Sequence, residues 1–113
     1  MPANVDLLRG TLELFILKTL TWGPMHGLAI SRWIETTSKS QLQIEEGALY
    51  PALHRMEQRG WLSAEWGISD NNRQAKFYSL TARGRKQYEE QLGAWQRYTK
   101  VAARLLAATG GTA

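Results

Sequence analysis

The spacing of apolar residues changes at Trp61, and this change limits what the chain can fold into. Between residues 49 and 56, apolar side chains recur every three or four positions, which is typical of a helix with one buried face. Between Leu62 and Trp66, apolar and polar side chains alternate, which is typical of a half-buried strand. The chain of 113 residues is therefore expected to place several helices before its β structure within a single domain.

Three helices are predicted before the change in spacing. Asn4 is a suitable cap for a first helix that runs through Leu20 and is stopped by Trp22-Gly23-Pro24. A second helix is expected from about His26 to Thr36. A third helix follows Glu45-Glu46-Gly47 and ends at Gly60. Each carries an apolar stripe, so the three are expected to share one core.

A β-hairpin and a long helix are predicted in the second half of the chain. A second strand is expected from Gln74 to Leu80, and the turn formers at positions 69–72 separate it from the first strand. Thr81 is a suitable cap for a final helix that ends near residue 108. Residues 109–113 are expected to form a frayed tail.

This order of elements predicts a mainly α fold with a small β-hairpin, of the α+β class. Three compact helices followed by a hairpin make a winged helix-turn-helix, which is extended here by a long C-terminal helix. We expect a winged helix-turn-helix DNA-binding domain over residues 1–80 and a dimerisation helix over residues 81–108.

Composition and charge favour binding over catalysis. Fourteen Lys and Arg against ten Asp and Glu give a net charge of +4, which favours a polyanionic partner such as nucleic acid. The chain has no Cys, which excludes disulfides, a thiolate nucleophile and a cysteine-based zinc site. His26 and His54 are predicted on different helices without a carboxylate motif beside either, and no glycine-rich phosphate loop is present. We therefore expect no enzyme, no metal site and no cofactor.

The sequence carries no sign of export or of membrane insertion. Its first residues lack a basic stretch followed by an apolar run, so no signal peptide is expected. The apolar-rich stretch from Leu7 to Leu20 is interrupted by charged residues and is too short to span a bilayer. These features favour a cytoplasmic protein.

The third helix has an outer face suited to the major groove of DNA. At about 100° per residue, Gly47, Tyr50, Pro51, His54 and Gln58 face away from the apolar stripe. Gly47 and Pro51 keep this face low, so that Tyr50 and His54 can reach phosphates or base edges. The alternatives are that the Tyr50 ring only covers the core and that His54 is a solvated surface residue.

Basic residues outside the third helix are candidates for phosphate contacts. Arg73 and Lys76, beside Asn72, are expected at the tip of the hairpin, where cations and an amide donor can reach the DNA backbone. Lys39, in the polar loop over residues 38–43, is a further candidate. Each of these side chains is equally compatible with an ordinary solvated position.

Four segments of the chain resemble the PadR family of bacterial regulators. They are residues 23–27 (GPMHG), 45–57 (EEGALYPALHRME), 60–62 (GWL) and 72–81 (NRQAKFYSLT). The resemblance implies a dimer that binds double-stranded DNA at an inverted-repeat operator, with the third helix in the major groove. It also implies that the protein represses transcription.

Two positions depart from the family pattern. Leu28 stands where relatives often carry Tyr, and Ala48 stands where many carry Ser or Thr. Both changes delete a hydroxyl group that could contact phosphate. They affect contacts expected from the second helix and from the start of the third helix, and leave the expected fold unchanged.

The final helix carries an apolar stripe that a lone helix cannot bury. The resemblance implies that this helix serves in dimerisation, and the first helix is apolar on enough faces to contact both its own core and a partner subunit. The expected dimer interface consists of Leu8, Leu12, Tyr88, Leu92, Trp95, Ala102 and Leu106.

Trp95 is also a candidate for binding a ligand. It resembles in position a tryptophan with which some relatives hold flat aromatic molecules between their two subunits. The resemblance therefore implies a small aromatic or hydrophobic effector that releases the repressor, with Phe15 lining the same space. The alternative is that Trp95 is interface core, since an indole ring serves either role.

Two further functions are compatible with these residues. A winged-helix module could bind protein or RNA without binding an operator, because fold does not fix function. The basic residues of the final helix could also lie on a membrane surface, although its aromatic stripe at dimer-seam spacing favours a partner helix.

Overall fold

A computed structural model of the chain describes residues 10–111, and it confirms the predicted fold class. Three short helices and a small antiparallel sheet form the body, and a long helix follows them. The elements are α1 (Thr11–Leu20), β1 (Met25–His26), α2 (Gly27–Thr37), α3 (Glu46–Gln58), β2 (Leu62–Ile68), β3 (Gln74–Leu80) and α4 (Ala82–Ala107).

The sheet has one strand more than the sequence indicates. Its order is β1-β3-β2, and both pairings are antiparallel. In β1, Met25 pairs with Tyr78 and His26 pairs with Phe77. A strand of two residues is too short to show an alternating pattern, so only its pairing in the folded chain identifies it. This strand joins the start of α2 directly to the hairpin formed by β2 and β3.

The core lies between α1, α2, α3 and the base of the hairpin. Thr19 is buried within it, and its hydroxyl donates a hydrogen bond to the Phe15 carbonyl at 2.7 Å, which satisfies the polar group. The buried apolar cluster consists of Ile16, Leu17, Leu20, Ile30, Ile34, Ile44, Leu49, Ala52, Leu53, Met56, Leu62 and Tyr78.

The first helix does not run from Asn4 to Leu20 as predicted, because the backbone at Gly10 lies outside the right-handed helical region. This residue has φ +85° and is the N-cap of α1, which begins at Thr11. A left-handed φ costs glycine little, and it places the N-terminal boundary of α1 at this residue. The proposed Asn4 cap lies outside the described residues.

The connection between α3, β2 and α4 is a compact set of backbone contacts. Gly60 has φ +78°, and the Trp61 N–H donates to the Met56 carbonyl at 3.0 Å, as in a Schellman motif. The Thr81 hydroxyl donates to the Gly60 carbonyl at 2.6 Å and accepts from the Gly84 N–H at 3.0 Å. Thr81 therefore caps α4, as predicted, and also fastens it to the end of α3.

Gly84 brings the first turn of α4 against the backbone of Trp61. Gly84 is buried, and a Cβ atom at this position would overlap the Trp61 carbonyl oxygen. Because that neighbour is backbone, it cannot swing aside as a side chain would. The start of α4 is thus held to the body of the protein by a contact that only glycine permits.

We expect Gly84→Ala to lower the free energy of unfolding by about 2–3 kcal/mol, because the added methyl group overlaps backbone. Gly93→Ala in the same helix is the matched control. A Cβ atom there meets only the end of the flexible Arg97 side chain, at 3.2 Å. Since alanine is the better helix former, this change should raise stability by up to about 1 kcal/mol. Urea unfolding of both variants measures the difference, and equal effects would contradict the assigned contact.

Candidate nucleic-acid interface

Helix α3 buries one face and presents the other to solvent. Leu49, Ala52, Leu53 and Met56 are buried, as the sequence predicts. The residues on the opposite face are exposed, and these are Gly47, Tyr50, Pro51, His54 and Gln58. The outer face is therefore low at its beginning and carries a phenol and an imidazole further along.

The Tyr50 ring packs against Gly27, the first residue of α2. A Cβ atom on Gly27 would lie 2.6 Å from Tyr50 Cε1 and 2.9 Å from its hydroxyl oxygen, so the ring occupies the space that a larger residue would need. His26, the N-cap of α2, accepts a hydrogen bond from the Ala29 N–H on its Nδ1 atom at 3.2 Å. Two of the segments that the sequence singles out, 23–27 and 45–57, thus meet at this point.

A groove of about 630 Å³ runs between the start of α2, α3 and the hairpin. Three of the predicted DNA-binding residues, Tyr50, Arg73 and Lys76, line it together. Arg32 from α2 and Trp66 from β2 also line it, and sequence reasoning missed both. Trp66 is 67% exposed, which is unusual for so large an apolar residue. The groove combines three cationic side chains, the carboxylate of Asp70 and aromatic groups in an open channel.

The sequence gives little indication that Arg32 and Trp66 belong to a binding surface. Arg32 is a single cation on the polar face of α2. Trp66 continues the alternation of β2, so the pattern indicates a buried position. The register explains its exposure, since Trp66 pairs with Lys76 beyond the part of the sheet that covers the core. Leu28, one of the departures from the family pattern, also lines the groove and is 41% exposed.

The other predicted DNA-binding residues do not line the groove. Gly47 and His54 lie on the outer face of α3 with Tyr50. Lys39 is exposed in the loop after α2, with φ +55°. Asn72 is exposed in the hairpin turn, with φ +58°. The structure thus divides the predicted set between the groove, the α3 face and two loops.

The hairpin turn holds Arg73 next to the groove. The Ser69 N–H donates to the Arg73 carbonyl at 2.8 Å, and the Asn72 N–H donates to the Ser69 carbonyl at 2.9 Å. The Ser69 hydroxyl also donates to the Arg73 carbonyl at 3.1 Å. These bonds fix the backbone of the turn and leave the Arg73 side chain exposed.

The predicted position of Lys76 at the hairpin tip is wrong. Lys76 lies within β3, and its Nζ atom donates to Glu57 Oε1 of α3 at 3.0 Å. This hydrogen bond raises the pKa of Lys76 above its usual value. Nζ also lies 5.6 Å from the centre of the Tyr78 ring. Burial raises the pKa of Tyr78, and the neighbouring Lys76 charge partly opposes that shift.

Trp95 lines a second groove, of about 500 Å³, between α1 and α4. Its other lining residues are Gly10, Thr11, Leu14, Gln91, Ala94 and Tyr98. Phe15, which we expected to share the space around Trp95, is not among them and packs instead against the core of its own chain. The second groove is therefore aromatic on its α4 side, through Trp95 and Tyr98.

The predicted dimer residues differ in how well their own chain covers them. Leu12 and Tyr88 pack against the core, and Leu8 lies outside the described residues. Leu92, Trp95 and Ala102 are half-buried, whereas Leu106 is exposed. The sequence stripe missed a neighbouring row of exposed side chains on α4, consisting of Tyr98, Val101 and Leu105.

Neither a metal-binding cluster nor a membrane-spanning helix is present in residues 10–111. Between positions 10 and 111, no three His, Asp or Glu side chains are grouped so that they could hold a metal ion. No helix in this part of the chain is both long enough and apolar enough to cross a bilayer.

We expect Gly27→Ala to lower the free energy of unfolding by about 1–2 kcal/mol, because the methyl group displaces the Tyr50 ring. In a Tyr50→Ala background the same change should cost close to nothing, since the ring is gone. Urea unfolding of the two single variants and the double variant measures the coupling. Additive losses in this cycle would mean that Gly27 and Tyr50 are independent.

Comparisons with known proteins agree with this architecture. The model of the PadR-like family of transcriptional regulators matches residues 16–90. The chain is similar to the structure of a transcriptional regulator from Clostridium thermocellum, with 28% identity, a TM-score of 0.79 and coverage of 88% of this chain and 97% of that chain.

Two further solved structures belong to named members of the same family. A PadR family transcriptional regulator from Eggerthella lenta has 28% identity, a TM-score of 0.78 and coverage of 89% and 86%. A PadR-like transcriptional regulator from Bacillus cereus has 26% identity, a TM-score of 0.77 and coverage of 89% and 96%. The chain belongs to the PadR-like family of transcriptional regulators and is not an enzyme.

Proposed function

We propose that this regulator binds a specific duplex DNA operator as a homodimer. The observation that carries the proposal is the position of the outer face of α3 beside a groove lined by Arg32, Tyr50, Trp66 and Arg73. A helix in the major groove needs a low face with hydrogen-bonding groups, and an adjacent basic channel suits the phosphate backbone. The proposal places the protein in the cytoplasm, together with the DNA that carries the operator.

Each part of this surface has a distinct role in the proposal. Tyr50 and His54 contact base edges from α3, and Gly47 lets the start of the helix approach the DNA closely. Arg73 and Asn72 contact phosphates from the hairpin, and Arg32 does so from α2. Trp66 lies against the sugar–phosphate backbone, which would cover its exposed ring. Lys39 is a peripheral phosphate contact.

Exposed apolar side chains in the C-terminal half of α4 support the proposed homodimer. This helix has 26 residues, which corresponds to about 39 Å at 1.5 Å per residue. Near its end, Tyr98 is 68% exposed, Leu105 is 70% exposed and Leu106 is 87% exposed. An apolar stripe of this length on one helix is expected to pack against a second helix. Two copies of α4 would cover each other and set the distance between the two copies of α3.

We further propose that the protein is a repressor released by a flat aromatic effector bound near Trp95. The second groove supports this, since two aromatic side chains line it beside the helix proposed to form the dimer. A ligand there would favour one dimer arrangement over another and so change the spacing of the recognition helices. Quenching of Trp fluorescence by planar aromatic compounds, with a parallel change in operator affinity, is the measurement that bears on it.

We expect the protein to enrich one inverted repeat from a pool of random duplexes and to bind it with strong salt dependence. Arg73→Gln should reduce the slope of log affinity against log salt by about 0.9, the value for one phosphate contact. Tyr50→Ala should lower the ratio of selected to scrambled duplex affinity about tenfold, which corresponds to about 1.4 kcal/mol. Fluorescence anisotropy over a salt series measures both quantities.

Arg104→Gln is the matched control for this experiment, because Arg104 is an exposed cation near the end of α4, away from the groove. Its salt slope and selectivity should equal those of the unaltered protein. Failure of the unaltered protein to enrich any duplex would overturn the proposed function and favour a protein or RNA partner.

We expect Leu105→Glu to convert the dimer to a monomer, because it buries an unpaired charge at the proposed helix–helix seam. Lys100→Glu places a carboxylate at an exposed position on the opposite face of the same helix and should leave the dimer intact. Sedimentation velocity distinguishes the two variants. A dimer that persists in Leu105→Glu would show that the seam lies elsewhere.

A further inference from the structure

We infer that Lys76 and Glu57 form an ionic latch that sets the angle of the hairpin relative to α3, so that Lys76 is a positioning residue and contributes no phosphate contact. The inference rests on the proposed function, in which α3 and the hairpin engage one duplex together. Its basis is the 3.0 Å contact between Lys76 Nζ on β3 and Glu57 Oε1 on α3.

The position of the latch along the hairpin allows it to affect the angle of the hairpin. The base of the hairpin is held by Leu62 and Tyr78, which are both buried in the core. Lys76 lies two residues closer to the tip, and its cross-strand partner Trp66 is already exposed. Beyond this pair, Ile68 and Gln74 are exposed as well. The latch therefore joins α3 to the hairpin at the level where packing against the core ends.

The surroundings of Lys76 favour a fixed side chain. Its ammonium group interacts with the Glu57 carboxylate and lies 5.6 Å from the centre of the Tyr78 ring, a cation–π distance. The Lys76 and Glu57 side chains are only 35% and 33% exposed. The Lys76 side chain is thus restrained by groups on α3 and on its own strand.

Electrostatics distinguish between the two possible roles of Lys76, as a latch or as a phosphate contact. A Lys–Glu pair carries no net charge, so it displaces no counterion when DNA approaches. Moving Lys76 to a phosphate would also leave the Glu57 carboxylate unpaired and facing the polyanion. Arg73 differs, because its exposed guanidinium group lies at the turn, outside the two ion pairs that the structure gives for residues 10–111.

The experiment uses the full chain and the duplex selected by the unaltered protein, with Glu57→Gln, Lys76→Met and the double variant Glu57→Gln/Lys76→Met. Because the double variant deletes a neutral pair, its salt slope should equal that of the unaltered protein, whereas Arg73→Gln should reduce the slope by about 0.9. Selectivity for the selected over the scrambled duplex should fall about two- to fivefold in each single variant, in line with an exposed ion pair. The double variant should show the same loss and no more.

Reversal of the pair, Glu57→Lys with Lys76→Glu, should restore selectivity because it restores the latch. Circular dichroism and urea unfolding of each variant show whether it is folded before DNA is added. A double variant whose salt slope drops by about 0.9, a reversed pair that does not regain selectivity, or selectivity unchanged in every variant would each overturn the inference. Absence of duplex binding by the unaltered protein would be a failure of the proposed function and is seen before any variant is made.

Discussion

Burial of one face of α3 is the interaction on which the organisation of this regulator depends. Leu49, Leu53 and Met56 are almost completely buried against α1, α2 and the base of the hairpin. Each such side chain contributes about 1.5–3 kcal/mol when it leaves water. Because the helix is rigid at 100° per residue, burial of these side chains also fixes which residues point outward. The orientation of Tyr50 and His54 is therefore a consequence of core packing.

The contacts around α3 then determine what surrounds that outer face. The Tyr50 ring packs against Gly27 of α2, and the Glu57 carboxylate forms an ion pair with Lys76 of the hairpin. Both contacts join α3 to an element distant in sequence. As a result, the groove beside α3 has walls from three elements whose relative positions are held by side chains of α3 itself.

The net charge of the chain is +4, but not all of its cationic side chains are free to contact a polyanion. Arg59 is paired with Glu13 at 3.2 Å, and Lys76 is paired with Glu57. Arg59 also lies 5.1 Å from the centre of the Trp61 ring. These cations serve contacts within the chain, whereas Arg73 is exposed beside the groove. Counting basic residues therefore overestimates the charge that is available to a polyanion.

Sequence alone determined the order of the elements, the buried face of α3 and the cap at Thr81, because these depend on local periodicity and on short-range hydrogen bonds. It also determined the family, through motifs at fixed positions. Only the tertiary structure decided that β1 joins the sheet, that Trp66 and Arg32 line the groove, and that Lys76 is bound to Glu57. These features depend on strand register and on contacts between residues far apart in the chain. Such contacts leave no periodic trace in the sequence, since each is set by how separate elements pack together.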